Sequence, residues 1–111
     1  MSIGRGAAKT TIGGTLVLTA AILPFGNASA DAVSRGAAVV EQWCRLCHVH
    51  AGERQGPDMA PAFEEIVKRP GHDEAFFVRF LHEDHFPMTT YRLFEEEKRD
   101  VVAWLMSLKQ R

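Results

Sequence analysis

The residues able to do chemistry in this chain are concentrated in one short run, Cys44-Arg45-Leu46-Cys47-His48. Cys44 and Cys47 are its only two cysteines, too few for a disulfide-stapled scaffold. The spacing Cys-x-x-Cys-His is the attachment signature of a c-type haem. Cysteines three apart at a helix end face one way, so both sulfurs can form thioether bonds to the vinyl groups of one porphyrin. The histidine that follows reaches the iron from the same side as an axial ligand. Other uses of these residues compete. A thioredoxin-type dithiol needs a βαβ context that the sequence lacks. Zinc could use Cys44, Cys47 and two of His48, His50 and His72, although no second paired-ligand motif accompanies them. Purely structural cysteines are the remaining alternative.

A second iron ligand must come from farther along the chain. The candidates are Met59, Met88 and Met106, with His50, His72, His82 and His85 as nitrogen donors. Met106 lies two positions from Trp104 in a helical stretch and reads as packing. Met59, in Gly56-Pro57-Asp58-Met59, reads as packing against the haem from a loop near the attachment helix. Met88 lies far beyond His48 in a proline-marked segment, from which a loop can wrap the group and approach its opposite face.

These residues need elements to hold them. Ala32 to Cys47 repeats apolar residues at three- and four-residue steps, the pattern of an amphipathic helix. Gly52, Gly56 and Pro57 then break the chain into a loop. Pro61 to Arg69 reads as a short helix stopped by Pro70-Gly71. Residues 73–83 set Phe76, Phe77, Phe80 and Leu81 on one side, behind Asp73 and Glu74 in the first turn. Glu95 to Lys109 is the clearest helix, acidic at its start and basic at its end. No alternating strand pattern occurs, and the expected class is all-α.

The segment 1–30 has a different character. Arg5 and Lys9 precede an uncharged, mostly apolar stretch from Thr10 to Gly26, and Ala28-Ser29-Ala30 closes the segment. A basic start, apolar middle and small-residue exit describe a secretory signal peptide, with cleavage expected after Ala30. A retained membrane anchor is the alternative, although the stretch carries Pro24 and falls short of the ~20 residues that a span needs. The segment 31–111 would then form the mature domain. Its eleven basic and fourteen acidic residues give a balance of −3, which argues against a nucleic-acid partner. A domain this short builds only a marginal core and calls for a staple, a metal or a cofactor. Export also makes haem attachment the favoured use of the cysteines, because that attachment occurs outside the cytoplasm.

Over nearly all of residues 32–109 the chain resembles a small class I cytochrome c of the bacterial monohaem kind. The first likeness is Cys44-x-x-Cys47-His48 on an N-terminal helix, with Gly36 eight positions before Cys44. In that family the glycine lets the first helix cross the last one closely, where a hydrophobic residue and an aromatic stand three apart; Val101 and Trp104 match. Gly56-Pro57 resembles the family's Gly-Pro, whose proline carbonyl accepts the proximal histidine's Nδ1–H. Met88, sixteen positions before Trp104, resembles the axial methionine. The chain departs from the family at Met88-Thr89, where Met-Pro is usual and the proline instead precedes at Pro87. Phe94 stands where a Ser, Thr or Asp cap is ordinary, and His85 lies three positions from Met88 as a competing ligand.

The resemblance implies three to four short helices and irregular loops around one covalently bound haem c. Cys44 and Cys47 would hold it, His48 and Met88 would ligate the iron, and Pro57 would orient His48. Trp43, Met59, Phe63, Phe76, Phe80 and Tyr91 are candidate pocket residues. A six-coordinate haem suits single-electron transfer in the periplasm, between partners such as a dehydrogenase, a cytochrome complex or an oxidase, rather than catalysis. The alternatives are a haem-bearing subunit of one oxidoreductase, or a ligand-binding sensor if Met88 is not on the iron. Only Lys68, Lys98 and Lys109 remain as mature lysines, so a lysine-ringed docking face is not expected. Arg45 and Arg54 read as solvated surface.

Overall fold

The computed structural model of the chain describes residues 2–4, 6–21, 28–90 and 92–111. Arg5, Pro24 and Gly26 of the expected signal segment lie outside the described residues, as does Tyr91. Residues 2–4 and 6–21 are exposed and carry no regular secondary structure. Among the described residues, no helix is long and apolar enough to cross a membrane.

Among the described residues, four α-helices carry the fold: α1 (Ala28–Val39), α2 (Phe63–Lys68), α3 (Glu74–His82) and α4 (Glu95–Lys109). The described residues contain no strand, only an isolated antiparallel bridge between His85 and Met88. Helix α1 opens at Ala28, so the expected cleavage triplet Ala28-Ser29-Ala30 forms its first turn. Its far end differs from expectation. Regular α-helix stops at Val39, and Val40–Cys44 form a wider π-helical turn. The amide of Arg45 donates to the Val40 carbonyl at 3.1 Å, closing that turn. Cys47 therefore lies in the turn beyond the helix rather than on it.

The other termini follow local chemistry. Helix α3 is capped by Asp73, whose carboxylate accepts from the Phe76 amide at 2.8 Å. Phe94 has no side-chain acceptor to offer α4, and the Glu97 carboxylate instead accepts from the Phe94 amide at 2.8 Å, half of a capping box. Glu95, Glu96 and Glu97 also meet the positive end of the α4 dipole. Helix α2 begins two positions after Pro61, with extended Ala62 at its N-cap, and Gly71 reverses the chain beyond it at φ 79°.

The most extensive helix contact is between α1 and α4. Gly36 is buried there: a Cβ at this position would overlap the Asp100 carbonyl and lie 2.9 Å from Trp104 Cβ. The close crossing expected of Gly36 and Trp104 is thus present, made against Asp100 and Trp104 on successive turns of α4. Arg35 holds the same crossing with two hydrogen bonds to the buried Asp100 carboxylate, at 2.7 and 3.0 Å. The core lies between these helices and includes Val40, Phe63, Val67, Phe77, Leu81, Val101, Trp104 and Leu105. It is small. Only Val40 and Val67 among its large side chains are wholly enclosed.

Candidate functional site

The attachment run leaves α1 through its π-helical turn, a kind of local widening that recurs at functional sites. The Cys44 carbonyl accepts from the amides of both Cys47, at 3.2 Å, and His48, at 2.9 Å. This tight turn replaces the straight helical spacing expected for the two cysteines. Neither cysteine is in a disulfide; Cys44 is half-buried and Cys47 exposed. Burial pushes the Cys44 thiol up to about 11.

The loop from His48 to Ala62 folds back onto this turn. Ala60 N donates to the Cys47 carbonyl at 3.0 Å, and Phe63 N donates to that of Val49 at 3.1 Å. Between these two bonds, His48 Nδ1 lies 2.8 Å from the carbonyl oxygen of Pro61. A carbonyl can only accept, so Nδ1 carries the proton, and Nε2 of the neutral ring holds a free lone pair. The face of the ring is fixed by Phe63, stacked at 5.0 Å and 29°. The orienting role expected of Pro57 therefore falls to Pro61. Pro57 is exposed at the outer part of the loop. The chain needs the extra residues to turn back toward His48, and the carbonyl it then presents belongs to the proline leading into α2.

Ion pairs brace the outside of the loop. Arg45 makes a two-pronged contact with Glu53, at 2.7 and 2.8 Å, and also donates to the His48 carbonyl at 3.2 Å. Expected as solvated surface, Arg45 instead ties the attachment turn to its loop. The Glu53 carboxyl is held below its usual range chiefly by that guanidinium, with help from the His50 amide. His50 bridges Glu41 of the π-helical turn, at 3.2 Å, and Glu64 of α2, at 3.3 Å. Burial would raise the Glu64 carboxyl, but backbone amides, including that of Ala51, and His50 outweigh it and lower it.

Met88 lies in the segment between α3 and α4. The Phe86–Pro87 bond is cis, and His85 and Met88 pair across that turn. Met88 is half-buried and packs against the core. The segment is pinned at its ends: Thr90 Oγ1 donates to the Leu81 carbonyl at 2.7 Å, and His82 Nε2 meets Glu95 at 2.6 Å. Of the other candidates, Met59 is half-buried near Gly56, while Met106 is half-buried and packs against the core from α4. Among the described residues, no three His, Cys, Asp or Glu side chains form a group that could hold a metal ion.

The expected pocket residues fall in three places. Phe63 is buried in the core and meets Trp104 edge-on at 5.0 Å. Trp43 is 40% exposed and stands outside the core. Phe76 and Phe80 stack at 5.7 Å and, with Arg79, Glu83 and His85, line a cleft of about 250 Å³. Sequence pattern does not place His85 in this cleft; its spacing from Phe80, across the end of α3, carries no helical signal.

This arrangement fits a covalently bound haem. Cys44, Phe76, Phe80 and Met88 are each partly buried against a small core, and the set of donors, two cysteine sulfurs, an imidazole with Nε2 unprotonated and a thioether, suits haem c. In that assembly Cys44 and Cys47 would hold the macrocycle, while His48 and Met88 would supply the iron ligands.

A curated relative, cytochrome c-552 of Bradyrhizobium diazoefficiens, is 32% identical over 95 residues, covering 85% of this chain and 90% of the relative. No protein-family model and no solved structure matches the chain.

Proposed function

Because this chain belongs to the small cytochromes c, we propose that it is an exported one-electron carrier with haem bonded to Cys44 and Cys47 and iron ligated by His48 and Met88. The observation that carries this reading is the 2.8 Å bond from His48 Nδ1 to the Pro61 carbonyl, which leaves Nε2 as the ring's only donor to a metal. Such a bond also raises the basicity of the imidazole. Bound haem supplies the Fe(II)/Fe(III) couple. His48 and Met88 would supply the iron ligands, Phe76 and Phe80 would limit solvent, and a methionine ligand would raise the potential relative to a second histidine.

In this reading the segment 1–30 directs export and is cleaved after Ala30, leaving the protein in the periplasm. Its partners are other redox proteins. Leu46, 79% exposed within the attachment run, and Phe86, 92% exposed beside Pro87, supply apolar contact where lysines are scarce.

The test is the visible spectrum of the exported protein, oxidised and reduced, after acid–acetone extraction. The expected result is non-extractable haem, a sharp low-spin reduced spectrum and the weak sulfur-to-ferric band. Covalent haem lacking that band would overturn methionine ligation. Absence of haem would overturn the whole assignment.

A further inference from the structure

His85 is the half-buried imidazole that the proposed ligation leaves unused. Its Nε2 is enclosed and makes no hydrogen bond; the Glu83 carboxylate lies 3.3 Å away, at ion-pair distance. An enclosed polar atom with no hydrogen bond is uncommon in a folded protein and calls for an explanation. The ring is also held in place. It lies over Phe80 with centroids 4.0 Å apart and planes 7° from parallel, beside the aromatic cleft formed with Phe76.

Its position relative to Met88 is the second observation. The two residues are directly paired in an antiparallel bridge. Residues paired in this way project their side chains from the same face of the ribbon, with Cβ atoms about 5 Å apart. The turn at Phe86-Pro87 thus presents a thioether and an imidazole on one side, each half-buried.

Resting on the reading of Met88 as the resident ligand, we infer that His85 is a reserve axial ligand, which takes the sixth position through Nε2 when the Met88 sulfur leaves it. The exchange breaks one iron–sulfur bond and forms one iron–nitrogen bond, with no change in electron count. It gives the chain a second, lower-potential state, since replacing methionine by histidine removes the ligand that favours Fe(II). Both donors are carried by the same turn.

The experiment uses the exported, haem-loaded full chain and three variants: Met88→Ala, His85→Ala and the double substitution. Met88→Ala is expected to lose the sulfur-to-ferric band, remain low-spin and show a lower midpoint potential. The double variant is expected to become high-spin, and added imidazole should restore its low-spin spectrum, showing that its pocket is intact. His85→Ala alone should keep the sulfur band. A high-spin Met88→Ala protein would overturn the role of His85 while leaving Met88 as the resident ligand. A Met88→Ala protein that keeps the sulfur band would instead overturn Met88 ligation and the inference with it. Should the double variant show the same low-spin spectrum and midpoint potential as Met88→Ala, another side chain is the reserve ligand and His85 is excluded.

Discussion

The Nδ1–H of His48 donates to a backbone carbonyl thirteen positions away, and this one bond determines which ring nitrogen can meet a metal. Because the acceptor is a main-chain oxygen, its identity depends on where the loop turns rather than on a side chain. Pro57 is exposed and contributes nothing to the orientation of the ring. Pro57→Ala is therefore expected to leave the midpoint potential and the sulfur-to-ferric band unchanged. Pro61→Ala loosens the backbone that carries the accepting carbonyl, which lowers the basicity of His48 and should shift the potential upward. Voltammetry of the two variants checks this; a shift on Pro57→Ala with none on Pro61→Ala would reverse the assignment.

At the scale of elements, the site depends on how closely α1 approaches α4. The attachment turn is the continuation of α1, and the Met88 segment runs directly into α4, so a change in their crossing moves one half of the site against the other. Gly36 sets that distance, since a Cβ there would overlap the Asp100 carbonyl. Main chain cannot rotate aside as a flexible side chain can. Gly36→Ala is expected to destabilise the protein by about 1–3 kcal/mol, as overpacking does, despite the gain of up to about 1 kcal/mol in helix propensity. Denaturant titration of the haem-loaded protein reads this directly. Stability equal to or above wild type would show that the helices can part without cost.

At the scale of the whole molecule, an ion pair closes the Met88 segment where α3 and α4 meet. Both ring nitrogens of His82 face oxygen: Nδ1 meets the Val78 carbonyl and Nε2 meets Glu95, each at 2.6 Å. The Val78 carbonyl and the Glu95 carboxylate raise the His82 pKa above 6.5, against an opposing effect from Lys98. His82 and Lys98 hold the Glu95 carboxyl below 4.5. Stability from His82 is thus fully present below pH 6.5 and lost as pH rises through its raised value. Stability from Glu95 is present above pH 4.5 and lost as pH falls through its lowered value. The pair acts fully between those limits, and its exposure keeps the effect small. His82→Ala should lower the melting temperature most in that window and progressively less above it. An equal decrease at every pH would mean that the ring matters by packing alone.

The helices and the Cys-x-x-Cys-His signature were legible in the sequence because both are local. Apolar spacing marks which face of α4 is buried, and the start and end of that helix coincide with its acidic and basic turns. Cys44, Cys47 and His48 carry their chemistry in residue type and spacing within five positions. The all-α class I fold of a small cytochrome c follows from these features together with the close helix crossing at Gly36.

Only the tertiary structure decided what depends on distant chain segments meeting. The end of α1 widens into a π-helical turn because the Val40 carbonyl takes the Arg45 amide, a register choice that side-chain periodicity does not record. Pro61 rather than Pro57 supplies the acceptor for His48, because any main-chain carbonyl can serve and the path of the loop selects one. Arg45 becomes a brace because Glu53 is brought back to it by that same path. His85 and Met88 share one face because the turn between them pairs the two residues. The order of residues determines which groups exist and their local repeat; partners for backbone atoms and turn residues are set by chain reversal, and that appears only once the helices have packed.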